Sequence, residues 1–192
     1  MVQSDAMLDL ELIAPEKPRR LKRSEYDELA RLGVFEDERV ELLYGVIVEM
    51  VPQGPPHDSR ITELGELLIP RLVGRATVRV QSSYVCDDES EPVPDLAIVP
   101  LGKYREEHPA RAYCIIEVSR SSVRKDRLVK APLYAASRVD EYWMVNVNDR
   151  CIEVFRDSDG SRYRSERSFG MGESVSLAAF PDVSIAVTAL FD

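Results

Sequence analysis

The chain has 192 residues, of which 44% are hydrophobic and 31% are charged, an ordinary composition for one globular domain with a substantial core. Its 25 basic and 34 acidic residues give a formal net charge of −9. This charge opposes general adhesion to nucleic acid or anionic membranes, so a nucleic-acid ligand requires local basic segments and metal ions.

No apolar run approaches the roughly 20 residues that a membrane span needs. Residues 1–18 carry four acidic side chains without an apolar segment and predict no secretory signal. The cysteines, Cys86, Cys114 and Cys151, are far apart and form no C-x-x-C pair, so neither a zinc site nor a disulfide framework is indicated. We expect a cytoplasmic protein with reduced cysteines and no membrane partner.

In the first half of the chain, the sequence predicts a flexible N-terminal segment (the lead), two helices and a hairpin. Residues 1–20 show no sustained period and predict a flexible lead before one domain at 21–192. Ser24 predicts the N-cap of a helix that ends at Gly33. The apolar segment 39–51, interrupted by Tyr44-Gly45, predicts a β-hairpin. After a loop at 53–56, aliphatic residues recur at helical spacing and stop before Gly74.

The second half predicts mostly strands. They are expected at 77–85, 95–99, 113–119, 141–147, 151–156 and near 163–166. An acidic loop at 87–94 and a helical piece at 130–137 separate some of them. One α/β or α+β domain with a mixed sheet follows from this order.

Two acidic residues lie at the ends of short apolar strands. Residues two apart in a strand point to one face, so Glu117 shares a face with Ile115 and Ser119. Asp95 starts the other strand, 22 residues earlier, enough to run up one strand and return alongside. If the strands are neighbours, both carboxylates converge on one hard cation such as Mg²⁺. The alternative is that both acids face solvent.

The same residues belong to a longer set of motifs. In chain order these are Glu41-Leu42-Leu43-Tyr44-Gly45-Val46-Ile47 with Glu49-Met50, His57 after Pro55-Pro56, Pro94-Asp95, Glu117-Val118-Ser119-Arg120-Ser121-Ser122, Asp126-Arg127, Lys130, Tyr134, Glu141-Tyr142-Trp143 and Phe180-Pro181. Pro94-Asp95 followed by Glu117-x-Ser119 is similar to the PD-(D/E)XK nuclease pattern without its final lysine. The ordered set resembles the Uma-type family of restriction endonucleases over roughly residues 22–192.

The resemblance implies a restriction-endonuclease-like α/β core, in which helices flank a mixed central sheet, with an extra C-terminal β-hairpin region. It also implies Mg²⁺ or Mn²⁺ at Asp95 and Glu117, and DNA phosphodiesters as the substrate. In that family the lysine is taken to have moved onto the following helix, where Lys130 matches. An ammonium there would orient the attacking water and stabilise charge on the phosphorane. The alternative for Lys130 is an exposed surface lysine.

Pro132 bears on the placement of Lys130, because proline is disfavoured beyond the first helical turn. Either the helix starts between residues 128 and 131, or it kinks at Pro132. A start there puts Lys130 at the positive end of the helix dipole, where a cation needs a partner.

Further residues are candidates for the site. Glu41 matches an acid that the family places nearby and is an auxiliary catalytic candidate; the alternative is a surface acid. His57, at a loop-to-helix junction, is a phosphate-contact candidate, whereas such a histidine more often caps or packs. A basic run is the candidate phosphate surface, with a solvated loop as the alternative. That run contains Arg120, Arg124, Lys125 and Arg127.

Two functional hypotheses remain open. The first is a Mg²⁺-dependent DNA endonuclease, which the acid–acid–lysine set favours. The second is a non-catalytic binding or assembly module that retains the fold, which the charge of −9 and the displaced lysine favour. Cutting both strands of a duplex needs two sites, so the first hypothesis also predicts a homodimer.

Overall fold

The computed structural model describes residues 15–191. Most of the predicted lead therefore lies outside the described residues. Its described part, residues 15–20, is exposed and forms neither helix nor strand.

Three main helices and ten strands make up the described chain. In order these are α1 (Arg23–Arg31), β1 (Val40–Leu43), β2 (Val46–Glu49), α2 (Pro55–Leu72), β3 (Ala76–Val80), β4 (Leu96–Pro100), β5 (Cys114–Ser119), α3 (residues 123–136), β6 (Glu141–Asn146), β7 (Cys151–Ser158), β8 (Tyr163–Phe169), β9 (Ser174–Leu177), β10 (Phe180–Ala186) and a closing 3₁₀ turn (Val187–Leu190). No helix of residues 15–191 is both long and apolar enough to cross a membrane.

Six strands form the central sheet in the order β3-β4-β5-β6-β7-β8. The β5–β6 pair is parallel and the other pairs are antiparallel. Parallel neighbours require a crossover connection, and α3 supplies it between β5 and β6. The predicted mixed sheet with flanking helices is confirmed.

Side-chain alternation divides the core into two layers. Cys114, Ile116 and Val118 pack with α2, the β9–β10 hairpin and the 3₁₀ turn. Ile115 faces the opposite way and packs with residues of α3 and β6. The predicted placement of Ile115 and Glu117 on the face opposite to Cys114 and Ile116 is therefore confirmed, and Glu117 lies on the α3 side of the sheet.

The predicted hairpin forms a separate two-stranded sheet, β1–β2, packed against α1. An antiparallel bridge between Leu42 and Glu91 joins it to the loop that leads into β4. Val40 and Leu42 face the α1 cluster, so strand alternation turns Glu41 to the other side.

The C-terminal hairpin region is present as β9–β10, but element boundaries differ from the sequence prediction. The N-cap of α1 is Lys22 instead of Ser24, because the Glu25 carboxylate accepts a hydrogen bond from the Lys22 backbone N–H. β7 continues to Ser158, beyond the predicted end at residue 156, and β8 continues to Phe169, beyond the predicted 166. Both strands extend because they pair with each other along their length.

The helix α3 begins earlier than expected, at Val123, and therefore contains Pro132 in its interior. It consists of Val123–Lys125, a π-helical turn at Asp126–Lys130, and Ala131–Ala136. The Ala131 N–H donates to the Asp126 carbonyl, five residues back. Because proline lacks an N–H and clashes with the preceding turn, the widened turn directly before Pro132 accommodates it inside the helix. Lys130 therefore lies within the helix and not at its positive end.

Candidate active site

Asp95 and Glu117 oppose each other on neighbouring antiparallel strands. Leu96 pairs with Ile116, so Asp95 and Glu117 are the next residues in this register. Leu96 and Ile116 both face the α2 layer, so the two acids share the α3 side of the sheet. Directly opposed residues have Cβ atoms roughly 4.5–5.5 Å apart, close enough for their carboxylates to approach one cation.

One oxygen of Asp95 is held by two donors. The backbone N–H of Val118 donates to Oδ2 at 2.8 Å, and Nε2 of His57 lies 3.2 Å from the same oxygen. His57 is buried in the first turn of α2, and its Nδ1 lies 3.3 Å from Asp58 Oδ1. Burial lowers the pKa of His57, but its contacts with Asp95 and Asp58 raise it above the ordinary value. The contact between His57 and Asp95 thus restrains the Asp95 carboxylate and makes protonation of the imidazole easier than in a free histidine.

Glu117 is likewise held through a single oxygen. Its Oε1 accepts hydrogen bonds from Lys130 Nζ at 2.8 Å and from the Tyr134 hydroxyl at 2.7 Å. Burial raises the pKa of Glu117 to about 8, assisted by the nearby carboxylates of Asp95 and Asp126 and opposed by Lys130. The site therefore favours the protonated form of Glu117 while it holds no metal ion.

Lys130 bridges two buried acids. Its Nζ lies 2.8 Å from Glu117 Oε1 and 3.0 Å from Glu41 Oε2. Burial lowers the pKa of Lys130, but the carboxylates of Glu117 and Glu41 outweigh this effect and raise it above the ordinary value. The lysine is a fixed, buried ammonium ion.

Glu41 enters the site from the hairpin and is fully buried. Besides Lys130, it contacts Lys125 Nζ at 3.0 Å through Oε1, and the Val93 N–H donates to Oε2. Burial alone would raise the pKa of Glu41, but Lys130 and Lys125 lower it below the ordinary value. Glu41 is therefore an ionised anchor for both lysines.

Asp126 belongs to the motif set found in the sequence but was not among the predicted site residues, although it borders the cavity that Asp95, Glu117 and Lys130 line. Its Oδ2 accepts hydrogen bonds from Ser119 at 2.7 Å and Ser122 at 2.5 Å. Asp126 and Tyr134 each lie four residues from Lys130, and this helical spacing was the available signal.

The predicted phosphate surface is only partly assembled. Lys125 lines the cavity and is half-buried, whereas Arg120 and Arg124 are exposed outside it. Arg127 turns to the neighbouring strand β7, where its guanidinium makes a bidentate pair with Glu153. The structure thus brings together Asp95, Glu117, Lys130, Glu41, His57 and Lys125, and leaves the three arginines outside this cluster.

All members of this cluster except Glu41 line a cavity with a volume of about 40 Å³. Its rim includes Arg39 from the hairpin, Gln53 from the loop before α2, and Gln81 after β3. A water molecule needs roughly 10–15 Å³ of such space, so the cavity accommodates a small ion with water.

Comparisons with known proteins agree with this architecture. The profile of the Uma2 family, described as “Putative restriction endonuclease”, matches residues 23–188. Among solved structures, one described as a “putative nuclease belonging to DUF820” from Anabaena variabilis ATCC 29413 is similar in fold, with a TM-score of 0.63. The two chains are 15% identical, and the match covers 81% of this chain and 90% of the other. No curated protein matches. Since the family profile spans most of its length, the chain belongs to the Uma2 family of restriction-endonuclease-like proteins.

Proposed function

We propose that this protein is a Mg²⁺-dependent endonuclease, able to use Mn²⁺, that hydrolyses DNA phosphodiester bonds at the Asp95–Glu117 pair. The observation that carries the proposal is the bonding of these carboxylates. Each has one oxygen held by two donors, Oδ2 in Asp95 and Oε1 in Glu117. Within residues 15–191, the second oxygen of each accepts no hydrogen bond from the protein, so it is free for a cation.

The residues fit magnesium better than a structural transition metal. No group of three or more His, Cys, Asp or Glu side chains within the described range 15–191 is arranged to hold a metal. Mg²⁺ does not need such a cage, since it is usually bound by one or two carboxylates, waters and substrate phosphates. Asp95 and Glu117 would hold it. When bound, the ion would supply Lewis acidity and lower the pKa of a coordinated water.

Lys130 has the properties of an electrostatic catalyst. Its raised pKa keeps the ammonium charged, so it serves as a charge stabiliser and not as a general base. Glu41 and Glu117 fix its position before substrate binds, which avoids reorganisation during the reaction. Glu41 thus acts through Lys130 and Lys125 as a positioning acid.

The partner in this proposal is the phosphate backbone of DNA. Lys125 lines the cavity and is half-buried, and Arg124 and Arg120 add exposed positive charge on the same segment of the chain. In the free protein, His57 contacts Asp95 Oδ2 and thereby helps to hold the Asp95 carboxylate in position. A net charge of −9 makes this basic strip and the metal essential for attraction to DNA. The enzyme would work in the cytoplasm as a homodimer, with one site for each strand, and sedimentation at working concentrations tests the dimer.

Metal-dependent cleavage by the wild type and by Asp95→Asn tests the proposal. Asp95→Asn should lower the cleavage rate at least about 100-fold with Mg²⁺ or Mn²⁺, because a neutral amide is a poor ligand for a hard cation. Asp58→Asn is the matched control, since exposed Asp58 contacts the other nitrogen of the same histidine. It should cleave at nearly the wild-type rate.

Both plasmid and oligonucleotide substrates should be assayed after complete metal removal and readdition. A wild type that binds neither ion, and cuts no substrate with either, would refute the nuclease proposal and favour the non-catalytic module. Equal rates for wild type and Asp95→Asn would refute the assigned site.

A further inference from the structure

Tyr134 is a buried residue of α3 for which the proposed reaction has no role so far. It is fully buried, one helical turn after Lys130. Its hydroxyl donates to Glu117 Oε1 at 2.7 Å, and Lys130 Nζ donates to the same atom at 2.8 Å. Two donors from one helix thus converge on one carboxylate oxygen.

This convergence distinguishes the two oxygens of Glu117. A carboxylate oxygen has two lone-pair positions, and Tyr134 and Lys130 supply a donor for each position on Oε1. Oε2 accepts no hydrogen bond from any residue in the 15–191 range. The donors therefore select which oxygen is left for a cation.

The phenol is a more rigid restraint than the lysine. The Tyr134 ring packs against Tyr142 and Tyr84, with ring centroids 5.2 Å and 6.5 Å away. Its hydroxyl therefore has little freedom to move. Lys130, by contrast, is a long side chain whose ammonium is shared between Glu117 and Glu41.

We propose that Tyr134 is a positioning residue that fixes the rotation of the Glu117 carboxylate and presents Oε2 to the metal ion. The inference rests on the proposed function, because it concerns the same metal site. Tyr134 touches neither metal nor substrate and acts only through Glu117. Hydrogen-bond partners of carboxylate ligands commonly contribute about 10–100-fold to metal affinity.

The test is Mn²⁺ binding to metal-free protein by titration calorimetry, with Tyr134→Phe compared with wild type. We expect the variant to bind Mn²⁺ about 10-fold more weakly or worse, because Glu117 can then rotate. Tyr84→Phe is the matched control. It removes a hydroxyl from the same buried aromatic cluster, one that has no hydrogen-bond partner among the described residues. Its Mn²⁺ affinity should equal that of the wild type.

A second measurement distinguishes a positioning role of Tyr134 from a catalytic role. Tyr134→Phe should need a higher Mg²⁺ concentration for half-maximal cleavage, yet reach a kcat within a few-fold of wild type at saturating metal. Unchanged Mn²⁺ affinity in Tyr134→Phe, or an equal loss in Tyr84→Phe, would overturn the inference alone. If the wild type binds no Mn²⁺, the inference and the proposed function both fail. If it binds Mn²⁺ but cuts no DNA, only the proposed activity fails.

Discussion

Replacing Lys130 by methionine is expected to reduce Mg²⁺-dependent DNA cleavage at least about 100-fold, the loss typical for removal of one preorganised stabilising group. Methionine keeps the buried aliphatic volume and removes the ammonium. In the wild type that ammonium lies between Glu117 and Glu41 at 2.8 and 3.0 Å, so a charged phosphate near the metal site loses its closest buried cation. Rates at saturating Mg²⁺ are the measurement.

The same substitution should also destabilise the fold. The buried ion pair between Lys130 and Glu41 is lost, and Glu117 loses a hydrogen-bond donor. Breaking such a pair costs on the order of 3 kcal/mol, roughly a 10 °C fall in Tm for a chain of this size. Lys125→Met is the control for the change in Tm, since Lys125 also contacts Glu41 but is half-exposed. Equal cleavage by wild type and Lys130→Met would rule out the electrostatic role.

Glu117→Gln should behave in the opposite way and raise the Tm of the metal-free protein. Burial raises the pKa of Glu117 to about 8 from the usual 4.5, so the folded protein prefers the protonated acid. The contribution of Glu117 to folding stability therefore falls as pH rises from about 4.5 to 8. Glutamine removes this penalty, so the variant should gain most at and above pH 8.

Thermal melts in chelator from pH 4.5 to 8.5 measure the effect. Glu141→Gln is the contrasting control, because buried Glu141 is paired with Arg156 and accepts from the Ala178 N–H. That variant should melt lower than wild type throughout the neutral range. A large fall in Tm for Glu117→Gln at pH 8 would mean that Glu117 is a structural residue.

The layout of the sheet was predictable because strand patterns are local. Alternation along β5 placed Glu117 on the side opposite to Cys114 and Ile116, and the apolar runs located β4 and β5. The 22-residue separation from Asp95 allowed a neighbouring strand, which the antiparallel register provides. Lys130 was predicted as the catalytic lysine from the family resemblance alone.

The hydrogen-bond partners were not predictable from these patterns, since they depend on tertiary packing. Glu41 reaches the lysines because contacts such as the bridge between Leu42 and Glu91 tie the hairpin to the loop that leads into β4. Arg127 belongs to the basic run in sequence, yet in the fold it pairs with Glu153. No local signal specifies either contact.

The π-helical turn in α3 also explains how residues five apart can act together. In a regular α-helix, positions five apart are rotated by about 140°, so their side chains diverge. The turn at Asp126–Lys130 takes up one additional residue, and Lys125 and Lys130 meet the two oxygens of Glu41. A chain one residue shorter here would need no such bulge, since a regular helix aligns lysines four apart. Lysines five residues apart can therefore share one anchoring carboxylate because the helix widens between them.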